Sequence, residues 1–208
     1  MTLEFRKKTL TPFVCISLFF LSNSLCAEQE IREYRGVRLD PYYREYDNSI
    51  KGPQSVDLET YRLKIIGLIE KPQSLVYHEV LALPSVKRAV TLHCVEGWEE
   101  HLLFEGIRLF DLLQLAKPGK GVKTVIFRAK DGYSSSLDYD EALRLDIMLA
   151  AKINGKVLDK RRGFPFQVVA ESKFGYKWVK RLTVIELSDK PYLGYWEALG
   201  YDNKADVN

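Results

Sequence analysis

The chain is 208 residues long, 46% of them hydrophobic and 28% charged, which is typical of a globular protein rather than a disordered one. This length suits one domain with a sizeable core and is short for two. The formal charge of +3 falls to +1 without residues 1–27, which hold Arg6, Lys7, Lys8 and Glu4. A balance so close to neutrality gives no reason to expect nucleic acid or an anionic membrane as a partner.

Residues 1–27 have the pattern of an export signal. A positively charged start, MTLEFRKK, precedes the apolar run FVCISLFFL and a small-residue end that closes at Ala27. The apolar run is shorter than the ~20 residues that cross a bilayer, which favours a signal over a permanent membrane span. The sequence therefore predicts a periplasmic or secreted bacterial protein, with an extended N-terminal arm over residues 28–57 and one domain over residues 58–208.

Beyond the arm, the apolar pattern predicts a strand-rich α+β domain with a few short helices. The segment SLVYHEVLAL is typical of a short helix with Ser74 as its N-cap and Pro84 at its end, and IRLFDLLQLA of a helix with one apolar face. The aromatic tail from Lys190 onward has no regular period, so we expect it to pack as a strap. The predicted strands lie in YRLKIIGLI, KRAVTLHCV, KTVIFRA, YSSSLDY, FPFQVVAES and VKRLTVIELSD.

Cys94 is the one cysteine beyond the predicted signal, because Cys15 and Cys26 lie inside it. In an oxidising compartment a lone cysteine cannot form an intrachain disulfide. Alternation along VTLHC places Leu92 and Cys94 on one face of a strand and His93 on the other. Two interpretations stay open at this point: a small apolar residue that fills the core, or a thiol that a rigid strand presents to a pocket.

The residues around Cys94 suggest further sites. His93, Cys94 and His101 are close enough in sequence for a zinc or copper site, or for a Cys–His nucleophile pair. The opposite orientation of His93 argues against both, and the domain has no second cysteine to complete a structural zinc site. His101, in a predicted loop, stays open as a partner of the thiol. We expect Glu99 and Glu100 to lie in a polar turn, exposed to solvent.

A second unusual segment, RRGFPFQVVAESKFGYKWVKRL, mixes basic and aromatic residues. Lys177 and Lys180, with the backbone N–H groups between them, are candidates to hold a phosphate, because ammonium groups and backbone dipoles both attract anions. The alternative interpretation is a solvated basic loop at the edge of a strand. The sequence contains no glycine-rich phosphate loop of the usual kind.

The chain resembles the molybdopterin-dependent oxidoreductases of the sulfite oxidase family, in a series of segments that keep the family's order. These segments are CVEGW, FEGIRLFDLL, AKDGYSSSL, NGKVL, RGFPFQVVAESKFGYKWVK and GYWEALGY. The resemblance runs from about Arg44 to the C-terminus and follows the pattern of small, single-domain exported members. It implies the sulfite oxidase molybdopterin-binding fold, a molybdenum–molybdopterin cofactor, and two-electron oxygen-atom transfer on a small S-, N- or oxyanion-type substrate. It also implies an external electron partner such as a haem protein.

The resemblance assigns roles to individual residues. It implies that Cys94 is the protein ligand of molybdenum, beside two dithiolene sulfurs, which suits a soft thiolate and a redox metal. The segment GYKWVK matches the loop that holds the cofactor phosphate, and Tyr133 matches a loop near the metal, where it would hydrogen-bond the substrate oxygen. The implied cofactor-binding residues are Cys94, Lys177, Trp178, Val179, Lys180, Arg162, Arg44, Glu45 and Asn48.

The predicted signal keeps a different class of function open. Residues 6–8 read Arg-Lys-Lys, whereas folded proteins that carry a pterin cofactor are usually exported through a twin-arginine signal. The alternative to the enzyme is therefore a non-catalytic periplasmic binding or structural module, which keeps the fold without the bound cofactor.

Overall fold

The structure is a computed structural model that describes residues 29–43 and 49–207. These residues form twelve strands, three α-helices and two 3₁₀ helices, and the predicted α+β class is confirmed. The strands are β1 Glu33–Tyr34, β2 Val37–Arg38, β3 Leu63–Gly67, β4 Gln73–Leu75, β5 Ser85–His93, β6 Glu99–Arg108, β7 Thr124–Ala129, β8 Ser134–Asp138, β9 Met148–Ile153, β10 Lys156–Val157, β11 Gln167–Val169 and β12 Leu182–Ser188. The helices are α1 Tyr77–Leu81, α2 Leu109–Ala116 and α3 Tyr139–Arg144, and the 3₁₀ helices are Gly175–Lys177 and Glu197–Leu199.

Two five-stranded sheets build the domain. In the first, the order is β10-β9-β6-β5, with β11 also paired to β9, and all of its pairs are antiparallel. In the second, the order is β4-β3-β12-β7-β8, in which β3 and β12 run parallel. One apolar core joins side chains of both sheets with the buried face of α2. The described part of the arm holds the β1–β2 hairpin.

The helices follow the apolar pattern more closely than they follow the predicted caps. Leu109, Leu112, Leu113 and Ala116 are buried in α2, at the spacing that puts them on one face of a helix. The prediction of Ser74 as the N-cap of α1 is wrong, because Ser74 lies in β4, opposite Lys64 of β3. α1 starts three residues later, where the Glu79 carboxylate accepts a hydrogen bond from the Val76 N–H, 2.9 Å away.

Strand β6 is the main element that the sequence did not predict. It pairs with β5 on one side and with β9 on the other, so it lies inside the first sheet. The prediction of a turn at Glu99 and Glu100 is wrong, because both residues start β6. The predicted exposure holds for Glu99, whose side chain is 54% exposed, and is wrong for Glu100, which is only 4% exposed. Gly106 lies against β9 so closely that a Cβ there would be 1.9 Å from the Leu149 carbonyl oxygen.

The described arm residues cross the edge of the first sheet. The Asp40 N–H donates to the His101 carbonyl, 2.8 Å away, and the Asp40 carboxylate accepts from the His101 N–H at the same distance. The predicted signal peptide, residues 1–27, and the candidates Arg44, Glu45 and Asn48 lie outside the described residues. No helix in the described ranges is long and apolar enough to cross a membrane.

Candidate active site

Cys94 lies directly after β5, at the start of the turn that leads to β6. Its N–H donates to the Trp98 carbonyl, 2.9 Å away, and its carbonyl accepts from the Gly97 N–H at 3.0 Å. Gly97 has φ +85°, which glycine adopts without strain. Cys94 forms no disulfide and is half-buried, and its Sγ lies 3.8 Å from Glu96 Oε2. A closed turn at the end of a rigid strand therefore holds the sulfur in place.

A cavity of about 220 Å³ opens in front of this thiol. Leu92, Cys94, Glu100, Leu102 and Phe104 contribute the β5–β6 side of its wall, as alternation along both strands requires. Its aromatic lining consists of Tyr42, Tyr43, Trp98, Phe104, Tyr133, Tyr176, Trp178, Trp196 and Tyr201. Its charged lining consists of Glu96, Glu100, Asp131, Asp159, Arg161, Arg162, Lys180 and Arg181. The thiol thus shares a cavity with four basic and four acidic side chains.

The two histidines near Cys94 lie on the opposite face of the hairpin. His93 Nδ1 is 3.2 Å from Glu99 Oε2, and His101 Nε2 is 3.4 Å from Glu99 Oε1. His101 also bonds through Nδ1 to Thr91 Oγ1, 2.8 Å away, so the prediction of a loop histidine beside the thiol is wrong. In the described chain no three His, Cys, Asp or Glu side chains are grouped to hold a metal ion, which removes the support for a zinc or copper site.

Arg162 joins the cavity wall to the arm. Its Nη1 and Nη2 donate to the two carboxylate oxygens of Glu100, at 3.0 and 3.1 Å, and both side chains are buried. Its Nε donates to the Tyr42 carbonyl at 2.8 Å, and Nη2 reaches the Pro41 carbonyl at 3.3 Å. Most of the donors of this guanidinium are therefore used inside the protein. The structure places Arg162 beside the cavity, and its contact with a cofactor stays a prediction.

Arg181 is the largest fully buried side chain of the described residues. Its Nη2 donates to Asp131 Oδ2, 3.2 Å away, and to Ser49 Oγ, while Nη1 donates to the Lys160 carbonyl at 3.0 Å. Its Nε is buried and has no hydrogen-bond partner among the described residues. A buried N–H without an acceptor is costly, so this wall of the cavity favours a ligand that brings an acceptor.

The GYKWVK loop divides its side chains between the cavity and the core. Trp178 and Lys180 line the cavity, and the Trp178 ring contacts Phe104 edge-on at 5.5 Å. Lys177 points elsewhere, because its Nζ is 2.6 Å from Glu197 Oε1 in a fully buried ion pair. Burial lowers the pKa of Lys177, and the hydrogen bond to Glu197 opposes that shift. Val179 is buried, and its carbonyl accepts from the Val168 N–H at 2.9 Å.

Tyr133 lines the cavity, and its hydroxyl donates to the Tyr176 carbonyl. Burial raises the pKa of Tyr133 far above its ordinary value, and the nearby Glu197 carboxylate adds to this shift. The hydroxyl therefore keeps its proton at all physiological pH values, with that proton directed to a backbone carbonyl. The role of Tyr133 towards a substrate stays a prediction.

Sequence reasoning missed several residues of the cavity. Glu96 lies between the Cys94 thiol and Trp98, and the Trp98 indole N–H donates to Glu96 Oε2 at 2.9 Å. Glu96 and Trp98 both belong to the segment CVEGW. Arg181 belongs to the basic segment but was not chosen from it. Tyr42 and Glu100 left no signal in the sequence, because their roles depend on contacts with Arg162, which is far away along the chain.

Comparison with known proteins places this chain in a family. The family model described as oxidoreductase molybdopterin binding domain matches residues 50–196. The uncharacterized oxidoreductase YuiH of Bacillus subtilis (strain 168) is 29% identical over 155 residues, which cover 74% of this chain and 78% of YuiH. The putative protein-methionine-sulfoxide reductase subunit YedZ1 of Azospira oryzae is 31% identical over 149 residues, which cover 72% of this chain and 57% of YedZ1.

A solved structure supports the fold. The sulfane dehydrogenase SoxCD from Paracoccus pantotrophus superimposes with a TM-score of 0.64 at 24% identity, over 67% of this chain and 41% of that chain. The catalytic subunit MsrP of the protein-methionine-sulfoxide reductase of Campylobacter jejuni is 29% identical over 175 residues, and the match covers 59% of MsrP. The predicted family and cofactor class are confirmed: this chain belongs to the molybdopterin-binding oxidoreductases of the sulfite oxidase family.

Proposed function

We propose that this chain catalyses two-electron oxygen-atom transfer on a small S-, N- or oxyanion-type substrate. In the reducing direction the substrate loses one oxygen as water, and the step takes up two electrons and two protons; the oxidising direction reverses this balance. The observation that carries the proposal is the position of Cys94, which forms no disulfide and lines a cavity whose wall also holds four basic side chains. A soft sulfur ligand beside cationic groups suits a redox metal that arrives on an anionic organic cofactor.

The residues of the cavity fit the molybdenum cofactor. When bound, the cofactor supplies a two-electron redox centre. Cys94 would hold the metal as a thiolate, and Glu96 Oε2, 3.8 Å from Sγ, is near enough to take the thiol proton as the ligand forms. The half-buried position of Cys94 allows a ligand to reach the sulfur from the cavity. Trp178 and Tyr176 line the same cavity and would contact the organic part of the cofactor.

The cationic side chains of the cavity would hold the phosphate of the cofactor. Arg181 offers its buried Nε, which lacks an acceptor among the described residues, and Lys180 and Arg161 line the same cavity. Arg162 is paired with Glu100, so in this proposal it shapes the site and adds little net positive charge. The roles of Arg44, Glu45 and Asn48 as cofactor-binding residues of the arm stay predictions.

Tyr133 would orient the substrate oxygen. Its hydroxyl carries a proton that the Tyr176 carbonyl now accepts, so hydrogen-bonding to a substrate requires this contact to be exchanged. The raised pKa of Tyr133 means that the group stays a neutral donor throughout. Electrons would be exchanged with an external redox protein, such as a haem protein, after export through the signal at residues 1–27 to the periplasm or outside.

Metal analysis tests this proposal. The protein would be purified from a host that makes the cofactor, its molybdenum measured, and Cys94 challenged with an alkylating reagent. We expect about one molybdenum per chain and a Cys94 that resists alkylation until the cofactor is removed. A chain without molybdenum, with Cys94 freely alkylated, would instead support the non-catalytic module.

A further inference from the structure

We infer that the buried ion pair between Lys177 and Glu197 is a positioning device, which fixes the C-terminal strap as one wall of the cavity. The strap comprises residues 190–207, and it contains the 3₁₀ helix Glu197–Leu199. This inference rests on the proposed function, because it concerns access to the same cavity. It assigns Lys177 to the strap, whereas the sequence predicted a cofactor ligand.

A single ammonium group ties three segments together. Lys177 Nζ donates to Glu197 Oε1 at 2.6 Å, to the Ser136 carbonyl at 2.9 Å and to Asn203 Oδ1 at 3.1 Å. These contacts use all three of its donors. They connect the GYKWVK loop with β8 and with two points of the strap. The Lys177 and Glu197 side chains are both 0% exposed, so water does not share the interaction.

The strap residues that border the pair also border the cavity. Trp196, directly before Glu197, lines the cavity together with Tyr201. The ring of Tyr201 contacts Trp196 at 5.2 Å and Tyr176 at 5.3 Å. Tyr176 precedes Lys177, so two neighbouring residues of one loop contact the strap. The distance between Trp196 and the thiol side of the cavity therefore depends on where Glu197 is held.

Lys177 is the cationic partner of the Glu197 carboxylate. Glu197 Oε2 is buried and has no hydrogen-bond partner among the described residues, and Ser135 Oγ donates to the other oxygen. The close approach of the strap to β8 requires Gly194, where a Cβ would lie 2.4 Å from the Ser134 carbonyl oxygen and 2.5 Å from Glu197 Oε2. Removing the ammonium group would leave a buried charge unpaired, which proteins tolerate poorly.

Further hydrogen bonds attach the strap: the Tyr192 carbonyl accepts from Ser136 Oγ, and the Asp202 carbonyl accepts from the Tyr176 hydroxyl, each at 2.7 Å. Leu193 and Leu199 are 57% and 65% exposed, and Tyr195 is 41% exposed. Because these apolar side chains remain largely in water, they contribute little free energy to holding the strap. The polar contacts therefore decide where the strap lies. A second buried lysine, Lys173, anchors the far end of the strap through Asp206 at 2.6 Å, and it is not among the residues that line the cavity. The two lysines therefore hold different parts of one segment.

The test compares Lys177→Met, Glu197→Gln and the double variant, first without cofactor. Hydrogen exchange of the strap amides would be followed by mass spectrometry. We expect each single variant to speed exchange at residues 194–203 by roughly 100-fold, and the double variant to speed it less, because it leaves no buried charge unpaired. In the loaded enzyme, all three variants should keep the molybdenum content of the wild type and raise KM more than they lower kcat.

Lys173→Met is the matched control, since it removes a buried lysine of the same kind. It should speed exchange near Asp206 and leave both residues 194–201 and KM unchanged. The inference is overturned if Lys177→Met loses molybdenum while Glu197→Gln keeps it, because Lys177 would then hold the cofactor. Unchanged strap exchange in both single variants would also overturn it. If the single variants do not fold, the exchange and KM of the double variant decide between these results.

The exchange experiment needs no catalysis, so it separates the two proposals. A chain that never binds molybdenum would contradict the proposed function, while the response of the strap would still be measured on the same protein. Conversely, an active enzyme whose strap does not respond to these variants would keep the proposed function and reject the positioning role.

Discussion

The two faces of the β5–β6 hairpin place similar side chains in very different surroundings. On the cavity face, Cys94 is half-buried and the Glu100 side chain, 5% exposed, is paired with Arg162. On the outer face, Glu99 is 54% exposed and lies between His93 and His101. Glu99 and Glu100 are neighbours in the sequence, yet solvent screens the first and the protein encloses the second. The alternation of a strand thus decides which polar groups take part in the site.

The largest expected effect concerns the thiol. Cys94→Ser should lower activity by more than the roughly 10- to 100-fold that loss of an outer metal-site partner costs, because it removes the metal ligand itself. The melting temperature of the cofactor-free protein should hardly change, since one half-buried atom is replaced by a similar one. Steady-state kinetics and thermal unfolding measure both quantities. Full activity in this variant would contradict the role of the thiol.

Variants of the adjacent residues Glu99 and Glu100 test the difference between the two faces of the hairpin, because their free energies of unfolding should differ. Glu100→Gln leaves the buried Arg162 guanidinium without its charge partner, and we expect the free energy of unfolding to fall by about 3 kcal/mol. Glu99→Gln alters only exposed contacts and should change it by less than about 1 kcal/mol. Urea unfolding at neutral pH measures both variants. Equal effects would mean that the two faces do not differ as described.

Tyr42 lines the cavity and should make the free energy of unfolding depend on pH in the alkaline range. Burial raises the pKa of Tyr42 to about 12, and the nearby Asp159 carboxylate adds to the shift. The folded state therefore keeps this proton when the unfolded state, with its ordinary pKa of about 10, releases it. The stabilisation is complete below pH 10 and is lost as the pH rises towards 12.

Tyr42→Phe isolates this contribution. The stability difference between wild type and Tyr42→Phe should be constant up to about pH 10 and should shrink between pH 10 and 12. Urea unfolding at several pH values measures this difference. A difference that stays constant throughout would show that Tyr42 titrates alike in both states.

The smallest effect is expected on the outer face. His93→Ala removes the contact with the exposed Glu99 carboxylate and should change the free energy of unfolding by no more than about 0.5 kcal/mol, as most surface substitutions do. The rate should also stay close to that of the wild type, because the imidazole lies on the other side of the sheet from the thiol. A large loss of kcat would restore a Cys–His interpretation.

The sequence predicted those features that depend on local pattern. Alternation placed Leu92 and Cys94 on one face, and the apolar spacing of α2 predicted its buried side. The sequence did not predict β6, because the charged residues at the start of this strand resemble a turn. Only its pairing with β5 on one side and β9 on the other identifies it as a strand. Contacts between distant residues were also hidden, such as those of Arg162 with Glu100 and Tyr42.

The direction of a side chain within a short loop was equally hidden from the sequence. Lys177 and Lys180 look alike in GYKWVK, and only the 3₁₀ helix turns the first towards Glu197 and leaves the second at the cavity. A loop without a regular period offers no rule for assigning faces, whereas a strand or a helix does.

X-ray absorption at the molybdenum edge is the most direct test of the central claim, that Cys94 holds the metal in this cavity. Wild-type protein and Cys94→Ser would be compared after loading in the same cofactor-competent host. We predict about three sulfur neighbours of molybdenum in the wild type and about two in the variant, because the variant lacks the soft thiolate ligand of Cys94. Equal sulfur counts in the two proteins would contradict it.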